Sequence, residues 1–189
     1  MNALIGFYLF VNILFSAFQI HDLKILDNPA INLQTRSTFI ATSIVVDNSG
    51  VLQWTTTGES GALPFSVEQF RWNKWVVVGT VNGKGTNGQN TYSAEVSFHS
   101  GVNRFRIKQV DYTERPRYSP ETTFRSLKPD VSYKIAGDRI VFSASTQYEV
   151  FNELGTLKNK GEGTIIELSA LSAGKYYLHF DNICTEFIK

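Results

Sequence analysis

Cysteine is almost missing from this sequence, with Cys184 alone among 189 residues. One thiol cannot close an internal disulfide, so an exported form of the chain has to hold its fold without one. Cys184 falls in an alternating segment and reads as a small half-buried apolar residue rather than a reactive thiol. An excess of either charge is missing too. Lys and Arg number 18 against 17 Asp and Glu, for a formal charge of +1. There is no basic stripe for nucleic acid and no acidic solvating tail. Histidine is scarce. His21, His99 and His179 stand far apart, none with a second His or a Cys at metal-ligand spacing. No G-x-S-x-G elbow and no H-E-x-x-H pair occurs. The sequence therefore predicts no catalytic residue, no metal site and no cofactor. Helical periodicity is the last absence, since no segment after residue 20 carries a 3.6-residue apolar repeat.

What is present is a period of two. The 42% hydrophobic content includes 14 Phe, 8 Tyr and 3 Trp, enough to exclude disorder over most of the length. From residue 38 the pattern alternates in short runs. TFIATSIVV, VLQW, FSVEQF, WVVVGTV, TYSAEVSF, NRFRIKQVD and RYSPETTF are separated by DNSG, RWNK, VNGKGTNGQN, HSG and YTERP. About seven strands over 38–125 at this spacing predict a sandwich. A second set, DRIVFSAS, YEVFN, TIIELS, KYYLHF and CTEFI, follows Lys128-Pro129-Asp130, with ELGTLKNKGEG as a hairpin and its loop. It is small, and a thin sandwich is expected. Residues 3–18, ALIGFYLFVNILFSAF, are almost wholly apolar. The run is short for a membrane span and fits a secretory signal, with an uncleaved anchor or a buried first element as alternatives.

Three features invite a chemical reading. Gly83-x-Gly85-x-x-Gly88 spells the dinucleotide fingerprint, but a strand follows where a helix is required, so it reads as a hairpin loop. Glu59, Glu68 and Asp111 offer carboxylates for glycoside hydrolysis. Glu68 is instead expected mid-strand, facing outward and solvated, across from Arg106 or Lys108. Trp72 falls in the turn RWNK, where polar residues are usual. An exposed indole there would serve as a ligand or partner contact, including stacking on sugars. Alternatively it packs on residues 19–37 or on the second domain. Trp75 is expected inside the first core with Trp54, Phe65, Val67, Tyr92, Phe105 and Ile107.

Two stretches together resemble known modules. LQWTTTGE, FSVE, the GTV loop, Tyr92, FRIKQVD and YS, in that order over 50–125, resemble the fibronectin type III-like module of bacterial surface proteins. The tail YEVFNELGTLKNKGEGTIIELSALSAGKYYLHFDNICTEFIK resembles the C-terminal sorting domain of the type IX secretion system. The turn at Asn152–Gly155, IELSAL with Leu168 and Leu171, Gly174-x-Tyr176 and the terminal Lys189 carry that likeness. The resemblance implies that Gly155, Leu168, Leu171, Gly174, Tyr176 and Lys189 belong to a sorting signal.

The expectation is an all-β chain of two tandem immunoglobulin/fibronectin type III-like β-sandwich domains. Residues 1–18 form the signal peptide, 19–127 the first sandwich with a leading segment, and 128–189 the sorting domain. The resemblance implies a non-enzymatic protein exported to the cell surface, on the extracellular side of the outer membrane of a Gram-negative bacterium. Its partners would be the type IX machinery and a surface protein or glycan, with no nucleic acid. A structural subunit that keeps its tail and a carbohydrate-binding accessory module are the alternatives.

Overall fold

The computed structural model describes residues 38–189. The signal segment 1–18, the leading segment 19–37 and His21 lie outside the described residues. Every regular element among the described residues is a strand, thirteen in all. The first eight are β1 (Ile40–Val46), β2 (Val51–Thr57), β3 (Pro64–Arg71), β4 (Lys74–Asn82), β5 (Asn90–Glu95), β6 (Gly101–Val110), β7 (Pro116–Tyr118) and β8 (Thr122–Ser126). They make two antiparallel sheets, β1-β2-β5 and β4-β3-β6-β7, with β8 also on β6. This is an immunoglobulin/fibronectin type III-like sandwich.

Alternation decides its core, because successive side chains leave a strand on opposite faces. Leu52, Trp54, Phe65, Val67, Tyr92, Phe105 and Ile107 close on one another with Phe39. Trp54 stacks on Tyr92 at 5.3 Å and meets Phe65 edge-on at 5.9 Å. Trp75 is a correction: it lies on the outer face, half-buried, edge-on to Phe70 at 5.3 Å. The cause is a bulge. Register shifts between Val67 and Glu68, so Val67 faces Gly79 while Glu68 faces Val77. The parity of WVVVGTV therefore reverses along the strand, and counting from either end misplaces the other. Glu68 is corrected as well. It faces outward opposite Arg106 as expected, yet its side chain is only 5% exposed.

The single last strand expected at RYSPETTF is two, β7 and β8, both on β6. Pro120 has no N–H for the ladder. At the break, Ser119 N–H donates to the Ile107 carbonyl (2.9 Å), while Ile107 N–H donates to the Ser119 hydroxyl (2.9 Å). A side chain thus replaces the missing backbone acceptor.

The second sandwich is built from β9 (Tyr133–Ile135), β10 (Arg139–Asn152), β11 (Leu157–Glu167), β12 (Lys175–Phe180) and β13 (Ile183–Ile188). DRIVFSAS and YEVFN, expected as two strands, are one 14-residue strand, and β11 absorbs most of the expected hairpin loop. Pairing jumps from Val141–Ile165 to Thr146–Gly163. Before the jump β10 pairs with β9, and after it with β12. All five strands thus lie in one sheet, order β11-β10-β12-β13 with β9 also on β10, and the two parts that the irregularity separates share one thin core. Ile140, Phe142, Val150, Ile166, Leu168, Leu178 and Phe180 fill it.

Candidate functional site

The tail residues come first. Gly155 closes the β10–β11 turn at φ 75°, a left-handed conformation that costs a side chain energy. Asn152 supports this turn. Its backbone carbonyl accepts from Gly155 N–H (2.9 Å), and its side-chain oxygen accepts from Thr156 N–H (2.7 Å). Leu168 is buried, and Leu171 packs against the same cluster. Tyr176 stacks on Phe187 at 5.5 Å, and its hydroxyl donates to the Ser172 carbonyl (3.0 Å). Gly174, at φ 156° with open space beside it, pairs with the last residue of the chain. Its N–H donates to the Lys189 carbonyl (3.0 Å) and its carbonyl accepts Lys189 N–H (2.9 Å). The Lys189 ammonium donates to the carbonyls of Leu168 and Leu171, and Asp138 lies 3.8 Å from it. The end of the chain therefore hooks the β11–β12 connection. Asn152 pairs with Tyr176, which pairs with Phe187. That register brings the Gly155 turn to the same end of the sheet as Lys189.

Trp72 is not on an open surface. With Asn73 it forms the two-residue turn between β3 and β4, at φ 54° and 58°. Two left-handed central residues make a type I′ turn, which suits strand twist but is rare for a residue as bulky as Trp. The indole is 7% exposed and packs on His179 of β12, rings 5.5 Å apart. Arg71 and Lys74 flank it at 5.3 and 5.7 Å from the ring centre. Of the contacts expected for Trp72, the indole makes the one with the second sandwich, where it recovers apolar burial against the cost of its backbone.

Trp72 is part of a seam between the two sandwiches. Residues 38–111 and 116–189 belong to one compact unit, and the seam lies within it. The Asp181 carboxylate, in the β12–β13 turn, accepts from both the N–H (2.9 Å) and the hydroxyl of Ser100. Lys74 meets Glu149 at 3.3 Å, and Arg71 donates to the Gln147 side-chain oxygen at 2.6 Å. His99 Nδ1–H donates to the Ser100 carbonyl (2.6 Å), leaving Nε2 as the lone-pair nitrogen. Burial holds the imidazoles of His99 and His179 below their ordinary titration range, with Arg71 adding to this at His99 and Lys74 at His179. Both are neutral near pH 7. The sequence hid Arg71, Glu149, Ser100 and Asp181, because nothing in a single strand or turn marks which polar residue will meet another domain.

Glu59 and Glu68 are each held by neighbouring groups. Glu59 is buried and receives Tyr92 O–H (2.7 Å), Asn90 Nδ2 (3.0 Å), Gly85 N–H (2.8 Å) and the Thr56 hydroxyl. Burial alone would raise its pKa, but these donors together hold it below the ordinary value. They also fix the Gly83–Gly88 loop. Gly85 sits at φ 68° so close to Ala62 that a Cβ would fall 2.5 Å from its nitrogen. Gly83 is likewise pressed against the Leu63 carbonyl, whereas Gly88 has open space beside it. Glu68 is held by Arg106 Nε (2.7 Å), with Lys108 at 3.8 Å. Among the described residues no three His, Cys, Asp or Glu side chains could share a metal ion.

No protein-family profile and no curated protein matches the sequence. Among solved structures the chain is similar to the chicken interferon gamma receptor alpha chain, at 16% identity and TM-score 0.34 over 81% of this chain and 98% of that one. It is similar to the BSP domain of a biofilm associated protein, at 14% identity and TM-score 0.31 over 79% of this chain and 29% of that one. It is also similar to domains 3 and 4 of rat CD4, at 10% identity and TM-score 0.26 over 75% and 95%. The tandem sandwiches described above rest on strand pairing and not on these likenesses.

Proposed function

We propose that this chain is a non-enzymatic protein exported to the surface of a Gram-negative bacterium. In this reading the first sandwich binds or spaces, and the second is the address read by a type IX secretion system. The observation that supports it most is the anchoring of Lys189, one of the residues that the resemblance assigns to the signal. Lys189 pairs through its backbone with Gly174 and through its ammonium with Leu168 and Leu171. A segment that is read by other proteins is best presented in one pre-organised conformation.

The seam favours a second reading within the same frame, a surface subunit that keeps its tail. Removing residues 128–189 would strip the cover from Trp72 and leave Ser100 and Arg71 without Asp181 and Gln147. Mass spectrometry of the protein recovered from the surface of a host with a type IX system tests both. Recovery there is expected. An intact C-terminus supports the subunit, and loss of 128–189 supports a removable signal. Absence from the surface fraction, with the protein held in the periplasm, would overturn the proposal.

A further inference from the structure

Arg71 has no counter-ion commensurate with its burial. It is the last residue of β3 and is 4% exposed. Its Nη1 donates to the neutral oxygen of Gln147, and its Nε has no hydrogen-bond partner among the described residues. None of their carboxylates lies within ion-pair distance of it. A buried guanidinium in this state has forfeited water for longer-range attraction to Asp181, Glu149 and Glu162, without a direct charged partner.

The same side chain lines two cavities of the seam, of about 240 and about 310 Å³. The first is also bordered by Ser97, Lys128, Ser145, Glu162 and Asp181. Asp181 is already engaged by Ser100. Lys128 Nζ donates to the Phe98 carbonyl (3.1 Å) and remains a positive charge at the wall. Ser97, Ser145 and Glu162 are exposed at its rim. The wall thus combines one under-used planar fork, two hydroxyls and one acceptor carboxylate.

From this geometry we infer that the cavity beside Arg71 is a binding site for a small hydroxylated monocarboxylate, of the sugar-acid class. The guanidinium fork matches a carboxylate in two parallel hydrogen bonds. Ser97, Ser145 and Glu162 then meet the ligand's hydroxyls. A phosphate dianion is disfavoured, because Glu162 and Asp181 would face a doubled negative charge at short range. At about 240 Å³ the space holds one sugar-sized unit rather than an extended chain. This site stands independently of how the protein reaches its destination.

The test is titration of the full chain with sodium glucuronate, with glucose and acetate as controls, followed by calorimetry and by amide chemical shifts. Saturable glucuronate binding is expected, with shifts gathered at Arg71, Ser97, Ser145 and Glu162. Neither control should match it. Arg71→Lys should weaken binding by about tenfold or more, the scale of a charged hydrogen bond. Should Arg71→Lys disturb the fold, Ser97→Ala with Ser145→Ala should weaken glucuronate while leaving the melting temperature unchanged. Absence of saturation, shifts elsewhere on the protein, equal binding of glucose or acetate, or binding indifferent to both sets of variants would overturn the assignment. A glucuronate-terminated disaccharide separates sources. Binding as tight as the monosaccharide places the natural ligand at a glycan end, and exclusion places it among free sugar acids.

Discussion

A single carboxylate organises one end of the first sandwich. Glu59 gathers the Thr56, Asn90 and Tyr92 side chains and the Gly85 N–H, so β2, β5 and the glycine loop are fixed through one residue. Tyr92 responds in turn. Burial and the bond to Glu59 push its hydroxyl up to about 12. Replacing Glu59 by Gln puts an NH₂ where an acceptor is required, leaving donors facing donors. Glu59→Gln should lower unfolding free energy by about 1–3 kcal/mol near neutral pH, as for a buried donor left unpaired. The pH dependence has a definite sign. The folded pKa of Glu59 lies below its ordinary 4.5, so its ionisation stabilises the fold fully above that value. That stability is lost as pH falls through the lowered folded value. Urea titrations of parent and variant should therefore converge on acidification. A gap that stays constant down to acid pH would show that the Glu59 charge contributes nothing.

Strand pairing makes one element-level pair stronger than its sequence suggests. Glu68 on β3 and Arg106 on β6 are direct neighbours, and Arg106 is sandwiched between Trp75 (4.1 Å) and Tyr118 (4.0 Å). A solvated cross-strand pair contributes about 0.2–1 kcal/mol. Here the carboxylate is covered, and breaking a buried pair from one side costs about 3–5 kcal/mol. A double-mutant cycle of Glu68→Gln and Arg106→Met should give a coupling clearly above about 1 kcal/mol, read from chemical denaturation. A coupling within error of zero would mean that the aromatic cover, not the charge, fixes Arg106. Much of this level was legible beforehand. Period-two runs located the strands of the first sandwich, and parity named Trp54, Phe65, Val67, Tyr92, Phe105 and Ile107 as core. Trp75 was not legible, because a bulge is a matter of pairing and leaves no mark on WVVVGTV. The merging of DRIVFSAS and YEVFN into β10 was hidden for a related reason. Ser143 to Ser145 look like a break in the alternation, but the chain carries on through an irregularity in its partner's register. The hook of Lys189 on Leu168 and Leu171 left no mark on the alternation of the tail.

At the scale of the whole described molecule the seam decides behaviour. Trp72 on His179, Asp181 on Ser100 and Lys74 on Glu149 join two cores that would otherwise unfold separately. One calorimetric transition is expected for the pair, and two well-separated transitions would contradict the seam. His99 and His179 add a pH dependence. Arg71, Lys74, Asp181 and Glu149 surround them, and burial keeps both folded-state values below 6.5. The unfolded chain takes up these protons first as pH falls. Their contribution is therefore present above 6.5 and lost as pH drops through the folded values. Melting temperature should fall between about pH 7 and about pH 5, and His179→Gln should reduce that fall. The same seam bears on export, since it joins the expected address to its cargo. The most direct measurement transplants the address. Residues 128–189 are fused to a periplasmic reporter in a host with a type IX system, and surface exposure is read by protease accessibility. A surface-exposed reporter is expected, returning to the periplasm when residues 183–189 are removed. A reporter held in the periplasm by a folded, intact tail would contradict the proposed address.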